Sequence, residues 1–172
     1  GGRCDLLMVY YSSVAPMTVD EKACASIILG HDSMVPVCAP DTEGGPRFSL
    51  AEADSTVPIL SYPPETFFGR LLNGIVRFGP AHPHFSVVAQ SSHARILRML
   101  ALNGSGIAWI PQRSIHQDIL QNRLVYAGGD QWHSNVEIRL YASPERTRLL
   151  ESNLWENIVK WQEPISTMST TN

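Results

Sequence analysis

The stretch "QSSHARILRML" places hydroxyl side chains where an apolar strand gives way to an amphipathic helix. A strand predicted over 84–90 ends at Gln90, and Ser91 and Ser92 then open a helix predicted over 92–102. In a parallel α/β sheet, ligands gather at the carboxyl ends of strands, and the backbone N–H groups at a helix start bind anions. These residues predict an anion or carboxylate site, with an ordinary serine cap of the helix as the alternative interpretation.

Other reactive side chains do not form a constellation that supports catalysis. The segment "HPH" at 82–84, taken with His93, has the residue type of a metal site, but no carboxylate or cysteine stands nearby, so a solvated loop is predicted. Cys4, Cys24 and Cys38 lie in apolar runs without Cys-x-x-Cys spacing. They predict reduced thiols and a cytoplasmic location, with peroxide sensing through a disulfide as the alternative. We expect no enzyme activity, no metal and no cofactor.

The elements that position these residues alternate between strand and helix patterns, which predicts an α/β fold. The apolar run 4–11 predicts a strand covered on both faces, as in a parallel sheet. The run 23–40 predicts one long strand bent at Gly30 or two shorter strands. Ser49 is the predicted cap of a helical turn, and the Asn-Gly pair at 103–104 predicts a helix stop. The other predicted elements are strand 57–62, helix 63–78, strand 106–110, a helix from Pro111, strand 123–128, strand 136–143 and helix 145–161.

The bulk composition indicates an ordinary globular domain without a basic surface. The 172 residues are 44% hydrophobic and carry a formal net charge of -3. We therefore expect these residues not to bind a nucleic acid backbone themselves. No run approaches the roughly 20 apolar residues of a membrane-spanning helix, so no membrane partner is expected.

Several segments together resemble one family. The segment "SSHARILRMLALNGSGIAWIPQ", followed by "RLVYAG", is similar to the helix, Gly-x-Gly, strand and proline of the effector-binding domain of LysR-type transcriptional regulators. The segments "GRCDLLMVYY", "MVPVCAPD" and "VEIRLYAS" resemble three further strands of that domain, so the resemblance spans Gly2 to Trp161. Within the family, "PVCAPD", "FFGRLLN" and "GIAWIP" most resemble the regulators that respond to hypochlorite.

The resemblance implies a two-lobed fold like that of type 2 periplasmic binding proteins, with an effector cleft between the lobes. Lobe I would comprise 1–32 and 137–172, with its N-terminal part truncated, and lobe II would comprise 33–136. The family's winged helix-turn-helix is absent from this chain, so DNA is an expected partner only through that domain. Family members pair through their effector domains. The helices over 64–78 and 92–102 would then offer a face to a second copy, unless both faces pack on the sheet.

The effector cleft implied by the resemblance is lined by residues at strand ends and at a helix start. Tyrosines at such positions often belong to the core, which is the alternative for Tyr10 and Tyr11. His93 stands where the hypochlorite group has a methionine, and Met99 on the same helix is expected in the core, so a methionine-based response is not expected there. The implied effector-binding residues are Tyr10, Tyr11, Ser12, Ser61, Tyr62, Gln90, Ser91, Ser92, His93, Ile110 and Pro111.

The predicted function is effector sensing for a DNA-binding transcriptional regulator. A small molecule or an oxidant in the cleft would shift the population of lobe arrangements, and a separate domain would pass this shift to DNA. A solute-binding protein of the same fold is the alternative, because fold alone does not separate the two classes. The three cysteines and the segment "NGSGIAWIP" favour the regulator.

Overall fold

The computed structural model describes residues 6–15, 24–51, 56–79 and 84–142. In this part of the chain, strands and helices alternate, which confirms the predicted α/β class. The elements in chain order are β1 Leu6–Tyr11, β2 Ala25–Cys38, β3 Thr56–Ser61, α1 Phe67–Phe78, β4 His84–Gln90, α2 Ala94–Leu102, β5 Ile107–Pro111, α3 Gln112–Leu120, β6 Val125–Tyr126, a short 3₁₀ helix Asp130–Trp132 and β7 Ser134–Ala142.

The chain divides into two compact units, which we call unit one and unit two. Strand β2 begins in unit one and ends in unit two, and β7 begins in unit two and ends in unit one. Unit one takes residues 1–11, 17–31 and 137–172, and unit two takes residues 12–16 and 32–136.

In unit one, β1 and β7 form an antiparallel ladder that places Tyr11 opposite Glu137. Leu7 and Met8 on β1 are exposed. The expectation of a parallel strand covered on both faces is therefore wrong. Because Leu6–Tyr11 contains no charged residue, its hydrophobic pattern cannot distinguish a covered face from an open one.

In unit two, the sheet is mixed instead of parallel throughout. The C-terminal part of β2 pairs antiparallel with β5 and with β6, whereas β3 pairs parallel with both β4 and β5. The strand order here is β2, β5, β3, β4, and α2 packs against β5 and β3. Because β3, β4 and β5 run in the same direction, their carboxyl ends meet at one edge of the sheet.

Strand β2 is a single strand of 14 residues, which confirms the first interpretation of the run 23–40. A Cβ atom at Gly30 would lie in open space. Further along, the buried Asp32 accepts the N–H of Ser33 at 2.8 Å and the N–H of Arg113 at 3.2 Å through Oδ1. Asp32 thereby fastens β2 to the first turn of α3.

Helix α1 begins at Phe67, four residues later than the predicted start at Pro63. Its N-cap is Thr66, whose Oγ1 accepts the Gly69 N–H at 3.0 Å. A threonine hydroxyl at this position satisfies one of the unpaired N–H groups of the first turn. The two prolines before it form the turn that leads into the helix, with the Thr66 N–H donating to the Pro63 carbonyl at 3.0 Å.

The predicted helical turn after Ser49 is not helical in its described part. Ser49 Oγ accepts the Ala51 N–H at 3.1 Å in a bend. Residues 52–55, the predicted helix over 145–161 and Cys4 lie outside the described residues.

The core of unit two is organised around two buried indole rings. Trp109 on β5 donates its Nε1–H to the carbonyl of Trp132 at 3.0 Å, and Phe85 packs edge-on against both rings. A Cβ atom at Gly79 would overlap the ring of Trp132. Trp132 therefore fixes the 3₁₀ helix against the end of α1.

Candidate functional site

The carboxyl ends of β3 and β4 bring four of the predicted site residues together. Ser61 lies opposite Gln90 in the parallel ladder, and the Ser91 N–H donates to the Ser61 carbonyl at 3.1 Å. The Tyr62 carbonyl accepts the Ser61 hydroxyl at 3.1 Å and the Gln90 side-chain amide at 3.4 Å. We call Ser61, Tyr62, Gln90 and Ser91 the strand-end cluster. Its members lie at the sheet edge where the sequence predicted a ligand site.

Helix α2 follows the strand-end cluster and begins without a side-chain cap. Its N-cap residue is His93 in extended backbone, and the imidazole makes no capping hydrogen bond. The exposed Ser92 precedes the cap position, so the interpretation of Ser92 as an ordinary serine cap is wrong. Ser91 Oγ instead accepts the His93 N–H at 3.2 Å. In the first turn, the Ile96 N–H donates to the His93 carbonyl at 3.0 Å, so the uncapped N–H groups are those of Ala94 and Arg95, and that turn contains no acidic residue.

Other predicted site residues have their side chains in the core. Tyr62 is 1% exposed, and its hydroxyl donates to the Trp109 carbonyl at 2.9 Å. Ile110 and Pro111 are buried in the ladder between β5 and β2, where Ile110 lies opposite Val35. Tyr62 thus ties the end of β3 to β5, and its hydroxyl already has an acceptor.

In unit one, the predicted site residue Tyr11 is covered by a cation. The guanidinium carbon of Arg139 lies 3.4 Å from the centre of the Tyr11 ring. Arg139 Nε donates to Glu137 Oε2 at 2.6 Å, and Nη1 donates to the Tyr141 hydroxyl at 3.5 Å. Burial lowers the pKa of Arg139, but the hydrogen bonds to Tyr141 and Glu137 outweigh this effect and raise the pKa above its ordinary value. Arg139 is therefore a fixed positive charge on the Tyr11 ring.

Arg139 is not among the predicted site residues. The alternation of Glu137, Arg139 and Tyr141 could have indicated that these three side chains lie together, because side chains two apart on a strand share one face. Tyr10 is half-buried on the same strand as Tyr11. Ser12 belongs to unit two and is buried, and its Oγ accepts the Val14 N–H at 3.3 Å.

The sulfur-containing side chains in the described part of the chain differ in their exposure to solvent. Cys38 is buried, and burial raises the pKa of its thiol above the ordinary value, which disfavours the reactive thiolate. Cys24 is half-buried and carries a free thiol. Met99 on α2 is 50% exposed, so its predicted core position is wrong. The buried stripe of α2 runs through Leu97 and Ala101, which turns Met99 away from the sheet.

The described part of the chain contains neither a cluster of metal-ligating side chains nor a helix that could cross a membrane. No group of three or more His, Cys, Asp or Glu side chains there could hold a metal ion. His84 is exposed, and residues 82–83 of the "HPH" segment lie outside the described residues. Among the described helices, none is long and apolar enough to cross a membrane.

Comparison with known proteins identifies the family. The model of the LysR substrate binding domain matches residues 1–161. The chain belongs to this family. Its α/β architecture accordingly matches the periplasmic-binding-protein-like regulatory domains of LysR proteins.

Two curated relatives are transcriptional regulators. The chain is 30% identical over 132 residues to the HTH-type transcriptional regulator YjiE of Escherichia coli K12, covering 77% of this chain and 43% of YjiE. It is also 30% identical over 132 residues to the HTH domain-truncated transcriptional regulator QseD of Escherichia coli O157:H7, covering 77% of this chain and 53% of QseD. The chain thus spans about half the length of these relatives.

A solved structure supports the same assignment. The regulatory domain of HypT from Salmonella typhimurium, in its apo form, is similar with a TM-score of 0.78 and 26% identity. The match covers 92% of this chain and 72% of the HypT domain chain. The matched family model is that of the LysR substrate binding domain, and both curated relatives are transcriptional regulators, so a regulator is favoured over a solute-binding protein.

Proposed function

We propose that this LysR domain senses a small anionic molecule or an oxidant at the start of α2. The observation that carries the proposal is the uncapped N-terminus of α2 beside the strand-end cluster. Ser91, Ser92 and His93 surround this helix start, where hydroxyls and backbone N–H groups stabilise negative charge. The family resemblance remains the basis for five further predicted effector-binding residues, which are Tyr10, Tyr11, Ser12, Ile110 and Pro111.

Effector binding is proposed to act by shifting conformational populations. The lobes expected from the family are 1–32 with 137–172 and 33–136, and the division of the chain at residues 31/32 and 136/137 supports this assignment. A ligand that prefers one lobe arrangement increases its population by its differential affinity. The output reaches DNA through a separate winged helix-turn-helix domain, and the protein acts in the cytoplasm.

The effector site can be tested by thermal unfolding of the 172-residue chain. We expect chloride, bromide or a small carboxylate to raise the melting temperature, since a ligand that binds only the folded state stabilises it. The variant His93→Asp places a carboxylate at the helix start and should abolish this protection. Ser105→Asp adds the same charge at the other end of α2 and should retain it. Equal protection of both variants would contradict the proposed site.

Hypochlorite is the second candidate effector. The similar HypT protein is described as a hypochlorite-specific LysR-type transcriptional regulator, and the half-exposed thioether of Met99 is open to oxidation. Met34 is 1% exposed and serves as an internal control. Brief treatment with limiting hypochlorite, followed by peptide mass spectrometry, should show the sulfoxide at Met99 well before Met34. Equal oxidation of both methionines would remove this candidate.

Pairing with a second copy is proposed to use the outer face of α2 and the neighbouring strand β4. Ile96 and Met99 on α2 and Val87 and Val88 on β4 are large apolar side chains exposed in unit two. Apolar surface of this kind marks protein interfaces when it is contiguous. The helices predicted over 64–78 and 92–102 are the two expected pairing faces, and α2 is the second of them.

Sedimentation of single variants tests this pairing surface. Ile96→Glu should weaken dimerisation at least about tenfold, because a charge would be buried at the interface. Leu120→Glu on α3 changes an exposed apolar residue on another helix and should leave the dissociation constant unchanged. A monomeric wild type, or equal weakening by both variants, would contradict the assignment.

A further inference from the structure

Unit two contains a cavity that does not involve the strand-end cluster. It has a volume of about 180 Å³. One wall is the C-terminal half of α1, with Gly74, Ile75 and Phe78. The opposite wall follows the 3₁₀ helix and contains Gln131, His133 and Ser134, and Val14 forms a third side. The lining is apolar on the α1 side and polar on the other.

The two walls are held in place by the core of unit two. Trp132 is 1% exposed and lies between Gln131 and His133, so these two residues start from a fixed backbone. Side chains at Gly79 and at Gly128 would both crowd the Trp132 ring, which indicates close packing on two sides. On the other wall, Leu71, Leu72 and Ile75 anchor α1 in the core. The cavity is therefore part of the folded framework of unit two and not a gap between loose loops.

His133 supplies an unsatisfied polar group to this wall. Its Nδ1 lies 3.5 Å from Asp130 Oδ1, and its ring packs against Tyr126 with 5.9 Å between ring centres. Its Nε2 is buried and has no hydrogen-bond partner. With the proton of the neutral ring on Nδ1, facing the Asp130 carboxylate, Nε2 is an acceptor. A buried acceptor without a donor destabilises the protein, so a ligand that supplies the donor gains affinity.

We infer that this cavity binds a small, mainly apolar molecule with one hydrogen-bond donor, of the phenol class. The volume fits one ring, since a cavity of about 150 Å³ is known to hold benzene. In the proposed complex, Phe78, Ile75 and Val14 contact the ring, and the His133 imidazole turns so that its covered Nε2 accepts the hydroxyl. Phe78 is 77% exposed in the free protein, so a ligand would cover apolar surface that now faces water. This site is independent of the anion site proposed at α2.

Calorimetric titration of the 172-residue chain with phenol and with toluene tests the inference. The two probes have nearly the same shape, and only phenol has a donor. We expect phenol to bind about fivefold more tightly than toluene, as one additional hydrogen bond would produce. In His133→Phe the ring remains and the acceptor is lost, so the preference for phenol should disappear while toluene still binds. Equal binding of the probes to the wild type, a preference that survives in His133→Phe, or no binding of either probe would overturn the proposal.

Two further variants locate the binding. Phe78→Ala removes an exposed wall residue with little risk to folding and should weaken both probes about threefold or more. Val87→Ala, which removes an exposed apolar side chain outside the cavity, should change neither affinity. His93→Asp should also leave phenol binding unchanged, which separates a failure of this site from a failure of the α2 site. If Phe78→Ala and Val87→Ala weakened the probes equally, the binding would be non-specific and the inference wrong.

Discussion

The two ends of helix α2 differ in whether the chain itself provides hydrogen-bond partners for the terminal backbone groups. At the C-terminus, the Gly104 N–H donates to the Ala101 carbonyl at 2.9 Å and the Ser105 N–H donates to the Leu100 carbonyl at 3.0 Å. Gly104 has φ +73°, the left-handed conformation that this closing motif requires. At the N-terminus, His93 provides no capping bond. The chain thus satisfies its own carbonyls at one end, whereas the Ala94 and Arg95 N–H groups at the other end have no side-chain cap.

The middle of α2 is fixed by a buried carboxylate on α3. Asp118 is 0% exposed and accepts Arg98 through Nε at 2.5 Å and through Nη2 at 2.9 Å. Arg123 also reaches Asp118 Oδ1 at 2.6 Å. The hydrogen bond to Asp118 raises the pKa of Arg98 above its ordinary value. The ion pair with Asp118 thus holds α2 in place through Arg98, while the N-terminus of the helix has no side-chain cap.

The largest change in the free energy of unfolding is expected when the ion pair between α2 and Asp118 is removed. Asp118→Ala should lower the free energy of unfolding by about 3 kcal/mol, because two arginines lose their shared acceptor and a buried space opens. Chemical denaturation in urea measures this change. Arg113→Ala, on the same helix and exposed, is the control and should cost less than about 0.5 kcal/mol. A small effect of Asp118→Ala would mean that α2 is not fixed by this ion pair, and the contrast between its two halves would fail.

A smaller change in the free energy of unfolding is expected at the C-terminus of α2. Gly104→Ala should cost about 1–2 kcal/mol, because an L-residue is strained at this positive φ. Its Cβ atom would also approach Arg47 Nη1. Gly104→Asn is the matched control and should cost less, since asparagine tolerates the left-handed conformation. Thermal or urea unfolding of the two variants checks the order, and an equal loss for both would show that the cost comes from crowding and not from the backbone.

The same contrast separates what the sequence could predict from what it could not. The stop at Gly104 was predictable because it depends on local backbone geometry. The apolar runs predicted the two strands, and the family resemblance implied that Ser61 and Gln90 line one cleft; the parallel ladder places these two residues opposite each other. The partner of Arg98 lies 20 residues away on another helix, and such a pair depends on packing that no local pattern records.

The exposure of Met99 on α2 was missed for a related reason. Met99 has apolar neighbours in the sequence, and this pattern alone does not show which of the apolar side chains face the sheet and which face the solvent. Antiparallel pairing of β1 with β7 was missed because strand direction is set by connections and register. The same pairing hid the contact of Arg139 with Tyr11, which joins residues at opposite ends of the described chain.

The smallest change in the free energy of unfolding is expected at His93, and it tests the N-terminus of α2 directly. The extended backbone at this position, with φ -105° and ψ 113°, suits a capping side chain. His93→Asp should therefore raise the free energy of unfolding by about 1 kcal/mol, because its carboxylate accepts a first-turn N–H and faces the positive end of the helix. His93→Ala offers no acceptor and should give no gain. Urea unfolding of both variants, without added anions, measures the difference. A gain in His93→Asp would show that the helix start has unused capacity for negative charge. Equal stability of both variants would mean that the N–H groups are already satisfied, and the two ends of α2 would then be alike.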